Sequence, residues 1–416
     1  MKQRRKWVVV LVVASLLASA LVAKEIPVVQ PEAVGLSSAK LTEMQAAARK
    51  MVDDEKVAGI ITMVARKGKI CHFEAHGNRD LEAGKPMERD TIVRIYSMSK
   101  PITSVAVMIL HEQGKILLDE PVETYIPELK GVKVYHENTQ GEPAPVEPKR
   151  KVTARDLLRH TSGLTYGILG DTAVDKMYRA QGILGDEDLQ DMVEKLGKIP
   201  LLHQPGTTWH YSVSTDMLGY LVERVSGRTL DGFFAEHIFK PLDMKDTGFY
   251  VPQDKRERFS KCYGADPNGG LKPSEEITGY AFLQPPTLLS GGGGLVSTAR
   301  DYLRFCTMLL NKGDLDDVRI LEPETVEMMT RDQLPPGVSV GKGVGFGLGF
   351  SVQRQPGPNG QMRVGEYGWA GAASTFFGIS PEDESIVILL TQYMPYTDTV
   401  PKTLKPMVYA AFADEK

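Results

Sequence analysis

The chain has 416 residues, 42% of them hydrophobic and 25% charged, proportions that exclude a disordered or fibrous protein and fit a globular enzyme. The formal net charge is -4 and no basic cluster is interleaved with aromatic residues, so a nucleic-acid-binding surface is excluded. The three cysteines have no C-x-x-C spacing, so they predict no cysteine-bound metal and allow at most one disulfide.

Residues 1–20 are predicted to be a cleaved signal peptide. Basic residues between Lys2 and Lys6 precede an apolar stretch, Trp7–Leu17, and Ala18-Ser19-Ala20 supplies a small-residue cleavage pattern. The apolar stretch is shorter than the roughly 20 residues that a bilayer-spanning helix needs. We therefore expect an exported protein, periplasmic or secreted, without a permanent membrane span; an uncleaved anchor is the alternative.

The start of the mature chain predicts a helix followed by two paired strands. Apolar residues at helical spacing behind a serine cap indicate a helix over Ser38–Asp54. Two β-rich runs, Ile60–Arg66 and Ile70–Ala75, are joined at Lys67-Gly68-Lys69, which indicates a hairpin.

The tetrad Ser97-Met98-Ser99-Lys100 stands directly before Pro101 and an apolar run. Proline is tolerated in the first turn of a helix, so the tetrad predicts a helix that begins close to Ser97. Residues three apart share a helical face, which brings the Lys100 amine near the Ser97 hydroxyl. A serine becomes nucleophilic when a base takes its proton, and a lysine amine in a buried helix start can be that base. A chance S-x-x-K pattern is the alternative interpretation.

The middle and the end of the chain predict different architectures. From 153 to 240 the pattern is helical and punctuated by Gly-Pro loops. The predicted helices are Ala154–Arg159, Asp186–Leu196, Ser214–Val225 and Leu230–Ile238, with surface loops at Glu142–Pro148 and Asp266–Pro273. The predicted C-terminal elements are strands at Phe346–Gln353, Met362–Trp369, Ser374–Ile379 and Ser385–Gln392, then a helix at Thr403–Ala413 with Pro406 in its first turn. We expect a sheet lobe from residues 24–114 and 290–416, with a mainly helical lobe, 115–289, inserted between.

A serine–lysine site also needs a second proton carrier and an oxyanion hole. Tyr211 follows a Pro-Gly turn and is the candidate carrier, because a neighbouring ammonium lets a phenol exchange protons with lysine. Trp369, Gly371 and Ala372 are the candidate substrate-binding residues, since small residues let a strand backbone approach a substrate. The backbone N–H groups of Ser97 and Ala372 form the candidate oxyanion hole. A packing tyrosine and an ordinary glycine bulge are the alternatives.

The order Ser-x-x-Lys, Tyr, Trp-x-Gly resembles the β-lactamase and penicillin-binding-protein superfamily. Further motifs are similar to those of class C β-lactamase-like serine hydrolases, and within that group to the family VIII carboxylesterases. These motifs are Leu157–Leu164, Pro205-Gly206 before Tyr211, Pro241–Met244 with Thr247–Phe249, and Gly291–Leu295 with Ser297–Asp301. The resemblance runs from about residue 30 to 412, nearly all of the mature chain.

The resemblance implies an α/β (α+β) fold of the β-lactamase/DD-peptidase type, a single domain with an antiparallel sheet flanked by helices and an inserted helical lobe. It implies a serine hydrolase in which Ser97 is acylated, Lys100 is the general base, and Tyr211 assists proton transfer to the leaving group. No metal or organic cofactor is implied. His160 matches a position that is architectural in the family.

Two departures from the family pattern bear on the substrate. Relatives that bind β-lactams or peptide carboxylates usually carry Tyr-x-Asn, where this chain has Val213 in the Asn place. They also carry Lys or His in place of Trp369, and an indole supplies no charge to pair with a carboxylate. We therefore expect uncharged small-molecule esters. The alternatives are a β-lactamase, a D-amino-acid peptidase (DD-carboxypeptidase) acting on cell-wall peptides or, from another class, a non-catalytic peptidoglycan-binding protein.

Two other patterns are decoys. Gly337–Gly341 fits the G-x-S-x-G nucleophile elbow around Ser339, but that motif requires a strand–turn–helix and no helix is predicted after it. We expect a loop there. His203 or His210 could serve a Ser-His-Asp triad, but no pattern in the sequence specifies one.

Overall fold

A computed structural model describes residues 24–185, 188–274, 282–357 and 362–412. The predicted signal peptide therefore lies outside the described residues, as do Asp186 and Ala413 at the ends of two predicted helices. None of the helices in these four ranges is both long enough and apolar enough to cross a lipid bilayer.

An antiparallel sheet of eight strands forms the framework, in the order β10-β11-β12-β13-β14-β1-β2-β3. Its members are β1 (Gly59–Arg66), β2 (Lys69–Asp80), β3 (Lys85–Pro86), β10 (Val344–Phe346), β11 (Ser351–Gln353), β12 (Tyr367–Gly371), β13 (Thr375–Ser380) and β14 (Ser385–Thr391). Three two-stranded ribbons pair β4 (Val93–Arg94) with β7 (Val296–Ser297), β5 (Tyr263–Ala265) with β6 (Leu271–Pro273), and β8 (Asp314–Leu315) with β9 (Val318–Arg319). The sheet joins both ends of the chain, because β1 pairs with β14.

Helices cover both faces of the sheet. They are α1 (Ser38–Asp53), α2 (Ser99–Glu112), α3 (Ala154–Leu158), α4 (Ala173–Gln181), α5 (Leu189–Leu196), α6 (Ser214–Ser226), α7 (Leu230–Phe234), α8 (Ala299–Leu310), α9 (Pro323–Thr330) and α10 (Thr399–Ala410). The two central strands β1 and β14 are buried at every residue. A strand covered on both faces needs a continuous apolar run rather than an alternating one, which is what β1 has.

The two faces of β1 enter two different cores. Ile60 and Val64 pack with residues of α1 and α10. Ile61 and Met63 point the other way, into the large core that contains α2. Alternate side chains of a strand point to opposite faces, so a single strand joins both cores. Helix α2 is buried from Ser99 to Leu110, as expected of a helix that is apolar on all sides.

The predicted fold class is confirmed: the antiparallel sheet and its flanking helices are present, and α3 to α7 follow one another between Ala154 and Phe234. The helix and hairpin predicted between Ser38 and Ala75 are confirmed, with β2 extending farther than expected to Asp80. The division into lobes at residues 114 and 290 stays a prediction.

Several predicted elements need correction. The single strand expected over Phe346–Gln353 is two strands, β10 and β11, because the chain turns at Gly349, whose φ of 101° suits glycine. The strand expected from Met362 begins only at Tyr367. Part of the loop expected over Asp266–Pro273 is the strand β6, and α4 was not predicted from the sequence.

The position of Pro406 was also predicted wrongly. Helix α10 begins at Thr399, so Pro406 lies inside the helix and Pro401 occupies its first turn. A proline inside a helix lacks the N–H that would bond to the preceding turn. Tertiary packing of Val400, Leu404 and Val408 against the sheet holds the helix together across that gap.

Candidate active site

Ser97 lies in a tight turn at the start of α2. The turn is a 3-10 helix, Tyr96–Met98, which runs directly into α2. Tyr96 has a φ of 40°, which is uncommon for a residue with a side chain. Its ring is buried and packs edge-on against Phe282, with ring centroids 5.7 Å apart. The predicted start of a helix close to Ser97 is confirmed, and the surrounding core holds the unusual backbone in place.

Lys100 is buried, with 1% of its surface exposed, and its amine lies at the centre of the site. Its Nζ is 3.3 Å from Ser97 Oγ, 2.9 Å from Tyr166 Oη and 2.6 Å from the carbonyl oxygen of Gly292. An ammonium has three donors, so these three partners satisfy all of them. The spacing of the tetrad therefore brings serine and lysine together as predicted.

Tyr211 contacts Lys100 with the face of its ring rather than with its hydroxyl. The Nζ atom of Lys100 lies 4.6 Å from the centroid of the Tyr211 ring, while Trp369 Nε1 donates to Tyr211 Oη over 3.3 Å. The tyrosine hydroxyl that bonds to the Lys100 amine belongs to Tyr166. Tyr166 was not among the predicted site residues, although it stands only two residues after the Leu157–Leu164 motif.

Aromatic side chains pack behind Tyr211. His160 lies 4.9 Å from the Tyr211 ring, and Trp209 lies 6.2 Å from it, between ring centroids. Burial lowers the pKa of His160 well below its usual range, and the charge on the nearby lysine lowers it further. His160 is therefore a neutral packing residue, consistent with the architectural position that the resemblance implied.

Four of the predicted site residues open onto one pocket of about 790 Å³: Ser97, Tyr211, Trp369 and Ala372. The remaining lining is largely apolar and comes from β11 to β13, from α10 and from the loop at Leu169. It consists of Leu169, Ser351, Met362, Ala370, Phe376, Tyr396, Asp398, Pro401, Lys402, Lys405 and Pro406. Leu169 is 65% exposed and Tyr396 is 50% exposed, so apolar side chains stand at its mouth.

Gly371 does not line this pocket. It is buried behind the wall, and a Cβ atom at this position would lie 2.3 Å from the carbonyl oxygen of Ile95. Its missing side chain lets β12 pack closely against the turn that carries Ser97. The role of Gly371 in substrate binding stays a prediction. Val213 is also buried in the core, at the residue before α6, and it does not line the pocket.

The charged side chains that line the pocket are already paired. Lys402 Nζ lies 2.7 Å from Asp398, on the same helix. Lys405 forms an ion pair with Glu366, and Tyr409 Oη donates to Glu366 over 2.5 Å. A substrate in this pocket therefore meets apolar surface and neutralised charge.

The decoy motifs lie elsewhere. Ser339 is exposed on a loop, where its Oγ donates to the carbonyl of Gly341 over 3.3 Å. His210 bonds to Thr165 over 3.2 Å, and His203 packs against it. The three cysteines, Cys71, Cys262 and Cys306, are buried, and no disulfide joins any two of them. Within the four described ranges, no three His, Cys, Asp or Glu side chains gather as metal ligands.

The sequence profile of the Beta-lactamase family matches residues 44–408. The chain belongs to this family. The family predicted from the ordered motifs is therefore confirmed.

Similar proteins include two that are named as esterases. Esterase EstB of Burkholderia gladioli is 32% identical over 404 residues, covering 91% of this chain and 98% of the relative. Lovastatin esterase of Penicillium rubens is 32% identical over 291 residues, covering 68% and 71% respectively. Protein Rv1367c of Mycobacterium tuberculosis is 36% identical over 366 residues, covering 84% and 90%.

Solved structures give the same picture. EstCE1, described as a hydrolase with promiscuous acyltransferase activity, superposes with a TM-score of 0.76 at 27% identity, over 89% of this chain and 98% of EstCE1. A variant of simvastatin synthase from Aspergillus terreus superposes with a TM-score of 0.77 at 26% identity, over 91% of this chain and 97% of that one. These relatives confirm the prediction of a serine ester hydrolase with the β-lactamase fold.

Proposed function

We propose that this enzyme hydrolyses uncharged carboxylic esters of small molecules through an acyl-enzyme on Ser97. The observation that carries the proposal is the 3.3 Å contact between Lys100 Nζ and Ser97 Oγ at a pocket of about 790 Å³. A hydroxyl within hydrogen-bond reach of an amine is the arrangement that an activated nucleophile requires.

Acylation begins when the Lys100 amine takes the proton of Ser97 and Oγ attacks the ester carbonyl. We assign the backbone N–H groups of Ser97 and Ala372 to the oxyanion of the tetrahedral intermediate. The intermediate collapses by expelling the alcohol, which takes a proton from the Lys100 ammonium by way of Tyr211. Tyr211 Oη accepts from Trp369 Nε1, so its own hydrogen is available to the departing oxygen.

Deacylation reverses these roles with water as the nucleophile. A water on the pocket side of Ser97 gives up a proton towards Tyr211 and Lys100 as it attacks the acyl carbonyl, and Ser97 recovers its proton. Tyr166 keeps one Lys100 donor occupied throughout, because its Oη lies 2.9 Å from Nζ.

Uncharged substrates follow from the side chains that line the pocket. Trp369 stands at the wall, and both lysines of α10 are neutralised by Asp398 and Glu366. A substrate carboxylate would lose its hydration without gaining a partner, which is unfavourable. This weighs against β-lactams and cell-wall peptides. Faster turnover of a cephalosporin than of 4-nitrophenyl butyrate would contradict the proposal.

The decisive experiment compares Ser97→Ala with Ser339→Ala on 4-nitrophenyl butyrate. Ser339 is the matched control because it is the serine of the decoy G-x-S-x-G motif. We expect Ser97→Ala to lose turnover and Ser339→Ala to keep it, with mass spectrometry detecting the acyl group on Ser97. Full activity of Ser97→Ala would overturn the assignment. A parent enzyme that turns over no ester would favour the non-catalytic binding protein.

We propose acyl transfer as a second activity of the same site. The largely apolar lining of the pocket suits an organic alcohol better than water, and EstCE1 is described as having acyltransferase activity. Adding a primary alcohol to the ester assay is expected to yield the new ester, quantified by chromatography. Formation of free acid alone at every alcohol concentration would limit the enzyme to hydrolysis.

We also propose that the protein is exported, to the periplasm or out of the cell. The support is the basic start, the apolar stretch Trp7–Leu17 and the small residues Ala18-Ser19-Ala20. Fractionation of a bacterial host and mass measurement of the product are expected to find a mature chain that lacks residues 1–20 outside the cytoplasm. A full-length cytoplasmic product would contradict export.

A further inference from the structure

A run of glycines forms the floor of the site beneath Lys100. The segment Ser290–Gly294, which we call the glycine loop, passes between α2 and α6. Its Gly291 carbonyl accepts from Thr103 Oγ1 of α2 over 2.7 Å. A Cβ atom on Gly292 would lie 2.4 Å from Asp216 Oδ2 of α6. Only a chain without side chains at these positions fits between the two helices.

Asp216 holds the loop from the side of α6. Its Oδ1 accepts from the backbone N–H of Gly292 over 3.0 Å and from the hydroxyl of Ser290. Asp216 occupies the third position of α6, where a carboxylate ordinarily bonds to the free N–H groups of its own helix. Here the carboxylate reaches across to the glycine loop instead.

This arrangement has a cost. Asp216 is 1% exposed, and its Oδ2 has no hydrogen-bond partner in the described part of the chain. A buried oxygen without a partner is destabilising, and such groups in native structures call for an explanation. The stability of α6 alone does not explain why the side chain turns away from its own helix.

The consequence of holding Gly292 is felt at Lys100. The Gly292 carbonyl accepts from Lys100 Nζ over 2.6 Å, and a carbonyl can only accept. It therefore fixes one N–H of the lysine, and Tyr166 takes a second. A lysine amine rotates freely about the bond between Cε and Nζ. Because two of its N–H groups are held by the Gly292 carbonyl and Tyr166, the third tetrahedral position of Nζ points at Ser97 Oγ.

We propose that Asp216 is a positioning residue for Lys100. By clamping the N–H of Gly292, it directs the adjoining carbonyl at the lysine amine, and the amine then directs its lone pair at Ser97. The inference rests on the proposed function, because it concerns how the general base of that reaction is oriented.

The test uses Asp216→Ala and Asp216→Asn in the full chain. Asn keeps an oxygen for Gly292 and Ser290, whereas Ala removes it. We expect Asp216→Ala to lower kcat for 4-nitrophenyl butyrate about 10- to 100-fold with KM nearly unchanged, since small misplacements of a catalytic group cost rate. We expect Asp216→Asn to stay within about threefold of the parent, because the clamp is geometric. The rate at which a fluorophosphonate labels Ser97 should follow kcat.

Asp301→Ala is the matched control, because Asp301 is another buried carboxylate that joins the start of a helix, α8, to a distant backbone N–H. Its Oδ2 accepts from the N–H of Asp246 over 2.7 Å, away from the pocket. We expect Asp301→Ala to lower the melting temperature and leave kcat per labelled site unchanged. If Asp216→Ala does not fold, Thr103→Val removes the bond on the other side of the loop and should lower kcat.

Parental kcat in Asp216→Ala overturns the proposal, as does a loss in Asp216→Asn as large as in Asp216→Ala. These results are separable from failure of the proposed function, which would appear as full ester turnover by Ser97→Ala. If Ser97→Ala is inactive and Asp216→Ala is normal, only the positioning role falls.

Discussion

Three partners surround the Lys100 amine, and they differ in what they can do with a proton. The Gly292 carbonyl only accepts, whereas the hydroxyls of Ser97 and Tyr166 can donate or accept. Tyr211 presents its ring to the amine and its hydroxyl to Trp369. The two tyrosines therefore have different roles. Tyr166 bonds to the base, and Tyr211 is assigned to the leaving group.

Tyr166→Phe is expected to lower kcat for 4-nitrophenyl butyrate by about 10- to 100-fold. The substitution removes a hydrogen bond to Lys100, which becomes charged as it takes the Ser97 proton, and such a bond is worth roughly 1.5 to 3 kcal/mol. Tyr135→Phe is the control, because Tyr135 Oη donates to Glu137 on the surface. A parental kcat in Tyr166→Phe would show that the lysine needs no second acceptor.

Gly371→Ala tests the packing behind the pocket wall. The new Cβ atom would lie 2.3 Å from the Ile95 carbonyl oxygen, so β12 must move away from the turn of Ser97. We expect a loss of about 1 to 3 kcal/mol in the free energy of unfolding, measured by denaturant titration, and a lower kcat/KM. Gly341→Ala is the control, because a Cβ atom there meets nothing within 4 Å. Equal behaviour of the two variants would refute the close-packing role.

For single residues, the sequence predicts contacts between residues that are close along the chain and misses contacts between residues that are far apart along it. Ser97 and Lys100 were found because a spacing of three on a helix is a contact in itself. Tyr166 was missed because it lies on a loop, and no periodicity marks a side chain that reaches a site from a distance. The glycine pattern at Gly371 predicted a close approach but not its partner, because a missing side chain does not identify the neighbour, here the backbone of Ile95.

Among the elements, α10 contributes the charged part of the pocket wall. Asp398, which directly precedes the helix, and Lys402 and Lys405 within it all line the pocket, and Lys405 forms an ion pair with Glu366. The helix therefore presents charges that are balanced within the protein before a substrate arrives.

Asp398→Asn is expected to change substrate preference. Asp398 makes no side-chain cap bond to α10, so the substitution mainly leaves Lys402 without its ion-pair partner. The KM for an ester that carries a carboxylate, such as 4-nitrophenyl hemisuccinate, should fall about two- to fivefold, as expected for an exposed ion pair. The KM for 4-nitrophenyl butyrate should not change, and adding Lys402→Gln should cancel the gain. An unaltered KM for the anionic ester would contradict this reading of α10.

The helices and strands that were predicted correctly are those in which burial requires a regular pattern of apolar residues. The helix over α1 and the strands β1 and β14 follow from apolar runs. It failed at α4, although Thr172 and Asp175 form a capping box that the sequence displays. It also placed the start of α10 four residues late, because Pro401 and Pro406 obscure a helix that tertiary packing sustains.

Over the whole molecule, stability depends on pH through a buried carboxyl. Burial raises the pKa of Asp301 from its usual 3.8 to about 6, although hydrogen bonds from Asp246 and Thr247 act to lower it. The native state then holds this proton more tightly than the unfolded state does. Its contribution is fully present below about pH 4 and is lost as the pH rises through about 6.

Asp301→Asn should remove this pH dependence. The free energy of unfolding of the variant, relative to the parent, is expected to rise by about 2 kcal/mol between pH 4 and pH 7. Urea titrations of both proteins at the two pH values measure the difference. A relative stability that does not change with pH would mean that Asp301 titrates alike in both states.

Most of the fold was predictable because the family motifs extend over nearly the whole chain. For the two ends of the chain, however, the sequence predicted only that they share a lobe, and not that β1 pairs with β14. The register that places Ile60 opposite Thr391 is known only from the structure. Periodicity identifies a strand but not its neighbour, since each buried face accepts many apolar partners.

Removing residues 385–416 tests how far the sheet depends on its C-terminal strand. The truncated chain lacks β14 and α10, which leaves β1 with an open edge and one core without its second helix. We expect rapid digestion by a protease under conditions in which the full mature chain survives. Survival of a large resistant fragment that contains β1 would contradict that dependence.

The pairing of β1 with β14 also determines when the sheet can form during protein synthesis. A ribosome releases β1 and α1 early, and their partners β14 and α10 emerge last. Because non-local pairing waits for the whole chain, the sheet cannot close while synthesis continues. For the exported protein proposed above, Ser97 and Lys100 therefore become an enzyme only after the last strand and helix to be synthesised have joined the sheet and its core.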